Sequence, residues 1–219
     1  MIFETREEAG RVLAEDLRGL VSPEERPIVL AIPRGGVPVA YAISQELGFP
    51  MSVVVVRKLG LPWNEEAGFG AIDPDGSTYL DEELVSQARL DPNTVREIAR
   101  KELEEIRSRE KRFMPDGYPH LEGRTAVVVD DGVATGYTAI AASGFAKKRG
   151  AKKVIVAVPV CPKDAERRFT GKADMFLCHH ASGEFSFAVG MFYRDFHQLT
   201  DEEVLEYIGK AKERNLFEP

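Results

Sequence analysis

The chain has 219 residues, 43% hydrophobic, 9% aromatic and 30% charged, and its 29 Lys and Arg against 36 Asp and Glu give a net charge of -7. That composition supports a full apolar core, and its acidic balance opposes non-specific binding to bulk nucleic acid or anionic membranes. The apolar runs at 53–56 and 154–160 are far too short to span a bilayer, and two cysteines, Cys161 and Cys178, exclude a disulfide scaffold. Residues 1–10 carry three glutamates and no apolar stretch, so no signal peptide is expected and the chain reads as a cytoplasmic single domain over 1–219.

Thr5 and Glu8 have the spacing of a helix-opening capping box. Ala9, Leu13, Leu17 and Leu20 then recur at helical spacing, which predicts an amphipathic helix over 5–20 ended by Pro23 and Pro27. The apolar run 28–32 predicts a strand, stopped by Pro33-Arg34-Gly35-Gly36. A second helix follows, with Pro38 in its first turn and Gly48 just past its end. Residues 52–56 read as another buried strand, which completes a βαβ unit. The unit recurs as a strand at 126–129, a loop at 132–136, a helix at 137–149 closed by Gly150, and strands at 154–158 and 175–178. The predicted fold class is therefore α/β: a doubly wound, mainly parallel sheet with helices on both faces.

Residues 61–122 interrupt this grammar, dividing the core into about 1–60 and 123–180. They hold a hairpin around Asp73-Pro74-Asp75-Gly76 and a long charged helix over 93–113 with a buried stripe of Val95, Ile98, Leu103, Ile106 and Phe113. An insertion of this length suggests a lid or flexible loop, and 60–80 is the segment expected to close. The segment 181–219 begins with a crowd of aromatics (Phe185, Phe187, Phe192, Tyr193, Phe196) and ends in a helix capped by Thr200 with Glu203 at the capping-box position.

The strongest chemical signal is Val127-Val128-Val129-Asp130-Asp131-Gly132-Val133-Ala134-Thr135-Gly136-Tyr137-Thr138. A buried strand delivers two adjacent carboxylates to its C-terminal end, small residues allow a ligand to approach the backbone, and a helix begins whose N-terminus favours a phosphate. Thr135 and Thr138 add hydroxyl donors. A capped strand–helix turn would account for the loop but not for the paired aspartates, which repel unless they meet hydroxyls or a cation. A ribose 5-phosphate with its 2- and 3-hydroxyls on Asp130 and Asp131 satisfies both. No Lys follows the loop glycine as in a nucleoside-triphosphatase P-loop, and no complete Gly-x-Gly-x-x-Gly is present.

This twelve-residue run resembles the signature of type I phosphoribosyltransferases, which use phosphoribosyl pyrophosphate (PRPP). The resemblance covers most of the chain apart from the 80–120 helix, and it is strongest to a microbial subgroup. It implies that Arg34, Gly35 and Gly36 form a short pyrophosphate loop, often containing a cis peptide. It further implies that Val133, Ala134, Thr135, Gly136, Tyr137 and Thr138 cradle the 5-phosphate, and that Arg57 and Lys58 are a basic pair preceding a mobile loop. Phe187-Ala188-Val189-Gly190 with Asp195 is similar to a hood that holds the acceptor base, with Phe187 as a stacking platform. The implied reaction is transfer of a 5-phosphoribosyl group from PRPP to a nucleobase or similar nitrogen acceptor. Asp130, Asp131, Arg57 and Lys58 would be catalytic, and Mg²⁺ would be held by Asp130 and Asp131 mostly through PRPP and water. The family habit implies a homodimer. A catalytically silent PRPP- or nucleotide-sensing regulator, or a sugar-phosphate binder that transfers nothing, are the alternatives. Retention of the pyrophosphate-side residues, and the absence of a DNA-binding module or basic face, favour the enzyme.

Other candidates read as structural. Cys178-His179-His180 lacks a second ligand pair at zinc spacing, and His120 and His197 are isolated. Asp73-Pro74-Asp75-Gly76 lacks calcium-loop spacing, and Glu65 and Glu66 beside Trp63 read as solvated charges.

Overall fold

A computed structural model describes residues 3–184 and 186–219, with the backbone alone at Glu65 and Glu66. The readings made for Phe185 and for the Glu65 and Glu66 side chains thus lie outside the described residues. In chain order the strands are β1 (Ile28–Ala31), β2 (Met51–Val53), β3 (Arg57–Leu61), β4 (Asn64–Ile72), β5 (Thr78–Leu80), β6 (Thr125–Val129), β7 (Lys153–Pro162) and β8 (Met175–Ser182). The helices are α1 (Arg6–Leu17), α2 (Gly36–Leu47), α3 (Glu82–Gln87), α4 (Pro92–Phe113), α5 (Tyr137–Lys148), α6 (Ala165–Arg168) and α7 (Asp201–Glu213).

Five strands form one parallel sheet in the order β2-β1-β6-β7-β8. Their valine-rich sequences are continuous rather than alternating because both faces are covered. Val29, Ala31, Val127, Val129, Ile155 and Ala157 enter one core with α1, α2 and α7. Ile28, Leu30, Ala126, Val128, Val154 and Val156 enter the other with α5. The architecture is the expected doubly wound α/β sheet.

Two expectations change. The first helix stops at Leu17, Arg18 turns extended and Gly19 has a φ of 83°, so Leu20 is 42% exposed instead of joining the stripe. Its capping box is also offset: Thr5 Oγ1 accepts from Glu8 N, but the Glu8 carboxylate accepts from Glu4 N. More consequentially, 60–80 is not a loop. β3, β4 and β5 form an antiparallel three-stranded ribbon, with the expected hairpin at 73–76 joining β4 to β5. Asp73, fully buried, holds that turn by accepting from the N–H groups of Asp75 and Ser77 and from Lys148 Nζ at 2.7 Å. Arg57 and Lys58 accordingly open β3 rather than precede a loop.

The insertion's long helix forms as its stripe predicts. Asp91 caps it through the N–H groups of Asn93 and Thr94, Pro92 occupies the first turn, and Ile106 and Phe113 are buried against the core. Thr200 and Glu203 make the predicted reciprocal box at α7. Among the described residues no helix is long and apolar enough to cross a membrane.

Candidate active site at the switch between β1 and β6

β1 and β6 lie side by side, yet the chain leaves β1 toward β2 on one side and leaves β6 toward β7 on the other. Such a reversal of strand order opens a crevice beyond the carboxyl ends of the two strands. The loops entering it are 33–36 after β1 and 130–136 after β6. They touch because pairing continues past the strands, Ile32 N donating to Val129 O at 2.9 Å. A Cβ on Gly36 would stand 2.5 Å from Val129 O and 3.0 Å from Asp130 Cα, and one on Gly35 would clash with the Asp131 carboxylate. Gly35 is therefore required by the Asp131 carboxylate and Gly36 by the backbone of Val129 and Asp130. The Pro33–Arg34 peptide that opens the first loop is cis, as the resemblance suggested. Gly36→Ala should cost about 1–3 kcal/mol by overpacking against immobile backbone. Urea denaturation measures this, and a variant as stable as the parent would contradict the packing described.

Asp130 Oδ1 accepts from the Asp131 N–H at 2.9 Å. Asp131 Oδ2 accepts from Arg6 Nε at 2.8 Å, and Arg6, only 6% exposed, also donates to His197 O at 3.1 Å and lies 4.1 Å over the Phe196 ring. Tyr193 Oη donates to Asp131 O at 2.6 Å. Asp131 thus joins the first helix, the phosphate-loop strand and the C-terminal hood. Burial, and then the neighbouring Asp131 charge, push the Asp130 carboxyl well above the usual carboxylate range. Burial also raises Asp131, with Arg6 opposing it. Arg6 was missed in the sequence because its partner lies 125 residues away.

The 130–136 loop is pinned by Val133 N donating to Val160 O at 3.0 Å, with the Val133 side chain in the core. Gly136 has a φ of 89°, a conformation that favours glycine, and opens α5. Arg168 donates to the carbonyls of Ala134 at 2.6 Å and Thr135 at 3.2 Å. Because a trans peptide points its C=O and N–H in opposite directions, this turns the amides of Thr135 and Gly136 the other way. Those two amides and that of Ala134 have no acceptor among the described residues, which leaves three successive donors at a helix N-terminus. Arg168 is the second residue the sequence did not reveal. Thr138 stands half-buried in the first turn of α5. The Tyr137 phenol, by contrast, turns away to the Asp81 carboxylate, and burial followed by that carboxylate pushes it up to about 12. Only the Tyr137 backbone is left for the loop.

On the other side, Arg34 Nη1 lies 3.5 Å from Asp201 Oδ1, and Arg57 Nε donates to Glu102 Oε2 at 2.8 Å. Lys58 is half-buried on the same strand as Arg57. A cavity of about 280 Å³ lies between Arg6, Arg34 and Gly35 on one wall and residues 196–199 on the other. Phe187 packs 5.4 Å from the buried Phe192, and Asp195 accepts from His197 N and contacts its Nδ1 at 2.8 Å. Both lie on the hood, but neither lines this cavity. His179 is bonded to Asp16 at 2.6 Å and His180 faces Phe192, so the Cys178-His179-His180 run is engaged within the fold.

Residues 3–191 match the phosphoribosyl transferase domain family. A Mycobacterium tuberculosis protein named "Putative phosphoribosyl transferase Rv0571c" is 44% identical over 212 residues, which is 96% of this chain but 47% of that protein. The chain thus spans about half the length of the curated relatives it matches. The crystal structure of TT1426 from Thermus thermophilus superposes with a TM-score of 0.77 at 36% identity, covering 94% of this chain and 97% of that one. A hypothetical protein from Neisseria gonorrhoeae, solved with bound ppGpp, shares the fold at a TM-score of 0.50 and 15% identity, with 96% of each chain covered. With its paired carboxylates, amide-lined loop and glycine-packed switch point in one crevice, the chain belongs to the phosphoribosyl transferase domain family.

Proposed function

We propose that the protein transfers the 5-phosphoribosyl group of PRPP to a nucleobase or similar nitrogen acceptor and releases pyrophosphate. The observation that carries this reading is the contact between the two loops. It sets the Asp130–Asp131 pair between the amides of Ala134, Thr135 and Gly136 and the Arg34-Gly35-Gly36 turn. A ligand with phosphates at both ends of a ribose meets a donor set at each end and carboxylates in the middle.

The 5-phosphate would sit on the amides opened by Arg168, with Thr135 and Thr138 adding hydroxyls. As the bond from C1 to the pyrophosphate oxygen breaks and the bond from the acceptor nitrogen forms, positive charge grows on the sugar and negative charge on the leaving group. Asp130 would accept from the ribose hydroxyls and face the growing positive charge through its oxygen not engaged by the Asp131 amide. Asp131, already compensated by Arg6, would hold the second hydroxyl. Arg34, Arg57 and Lys58 would take the pyrophosphate. The proton on the acceptor nitrogen leaves to solvent. Asp130 and Asp131 supply hard oxygens that suit magnesium. The ion would be carried mainly by the substrate's phosphates and water. Bound there, it would neutralise charge on the diphosphate.

Calorimetric titration with PRPP in magnesium buffer tests the reading. One PRPP should bind per chain, more tightly than ribose 5-phosphate, which reaches the amide loop and the two carboxylates but not the Arg34, Arg57 and Lys58 side. Equal affinity for the two, or no heat with either, would overturn it.

A further inference from the structure

The motifs that carry the family resemblance leave out the insertion helix α4, yet one of its faces reaches the pyrophosphate side of the site. Glu102, Glu105, Arg109 and Arg112 are spaced by three, four and three residues, which aligns them along one stripe. Both ends of the stripe are fixed. Glu102 holds Arg57 at 2.8 Å; Arg112 donates to Asp201 Oδ2 at 2.6 Å, and the other oxygen of Asp201 faces Arg34. The stripe therefore bridges from Arg57 to Arg34, with Arg109 one turn from the Arg34 end and half-buried. Burial, and then the charges of Arg57 and Arg34, pull the Arg109 guanidinium below its ordinary pKa, against the opposing pull of Asp201 and Glu105. A cavity of about 380 Å³, walled by Arg57, Lys58, Leu61, Ile98, Lys101 and Glu102, opens between the ribbon and this helix.

Arg109 lies on the stripe between Arg57 and Arg34, where Glu102, Glu105 and Asp201 are the counter-charges and Arg112 is held by Glu202 as well as by Asp201. A diphosphate can accept from several guanidinium forks at once, which these separate carboxylates do not. We propose that Arg109 on α4 is a third arginine of the diphosphate subsite with Arg34 and Arg57, and that Glu102 competes with the diphosphate for Arg57. The inference rests on the phosphoribosyl reading above and assigns the insertion a part in it.

The test uses the full chain with three probes: inorganic pyrophosphate, PRPP with magnesium, and ribose 5-phosphate. Arg109→Gln should weaken pyrophosphate and PRPP by about tenfold or more, the usual worth of a charge-assisted hydrogen bond, and leave ribose 5-phosphate within about twofold. Glu102→Gln should tighten pyrophosphate several-fold, a gain that misfolding cannot produce. Unchanged pyrophosphate binding in either variant, or an equal loss of all three ligands in Arg109→Gln, overturns the assignment. A parent protein that binds neither PRPP nor ribose 5-phosphate would instead sink the reading on which it rests.

Discussion

Replacing Asp130 with asparagine is expected to raise the melting temperature while removing turnover. Asp130 is half-buried beside a second carboxylate, and desolvation and that neighbour hold its folded pKa well above the unfolded value. A group raised in this way stabilises the fold fully below its unfolded pKa, and that contribution is lost as pH rises through the folded pKa. At neutral pH the ionised form is therefore a burden on the native state. Asparagine removes the charge and keeps an oxygen to accept from the Asp131 N–H. Each kcal/mol relieved raises the melting temperature of a chain this size by about 2–4 °C. The same change takes away the charge proposed to face the oxocarbenium-like sugar, and loss of one such group costs about 100-fold or more in rate. Scanning calorimetry and pyrophosphate release measured on the same preparation read the two effects. A variant that is both less stable and fully active would refute the assignment of Asp130. For the double variant Asp130→Asn with Asp131→Asn, turnover should fall further than stability.

Arg6→Met should be the most destabilising single substitution near the site. The Arg6 and Asp131 side chains are 7% and 14% exposed and share a bond of 2.8 Å. Removing the cation strands a buried carboxylate, which costs about 3–5 kcal/mol. The contact of the guanidinium with Phe196 adds to the loss. At about 2–4 °C per kcal/mol, the melting temperature should fall by roughly 6–20 °C. The two positions should also be strongly coupled: Asp131→Asn in the Arg6→Met background should recover much of the loss, because no unpaired charge remains. A double-mutant cycle by denaturant unfolding measures that coupling. Additive effects of the two substitutions would show that the pair does not hold the first helix and the hood to the phosphate loop.

The parts of this molecule legible in its sequence are those with a local physical signature. Continuous apolar runs at 28–32, 126–129 and 154–158 are the mark of parallel strands buried on both faces. The Asp130-Asp131-Gly132 turn shows itself because charge, small size and a following helix occur within a few residues. Thr200 with Glu203 is equally local. What was not legible depends on contacts between distant segments. The length of the insertion suggests a loop at 60–80, but Gly70 sits in β4, where a Cβ would strike the backbone of Tyr79 on β5. That close approach appears only once the ribbon is formed. Arg6 looks like an ordinary first-turn helix residue until Asp131 arrives beneath it, and Arg168 looks like a surface charge until the 134–135 carbonyls meet it. Phe187 and Asp195 show the converse. Their order along the chain matched a hood, but the aromatic packing around Phe192 and the bond to His197 decide where they point.

The central claim is that the two contacting loops hold PRPP for transfer to a nitrogen acceptor. Its most direct test follows pyrophosphate release and nucleotide formation from PRPP and magnesium across a panel of purine and pyrimidine bases. The account predicts release that depends on one base or a small set, with one nucleotide formed for each pyrophosphate. PRPP bound but never consumed across the panel would contradict it and make the protein a sensor of the same ligand.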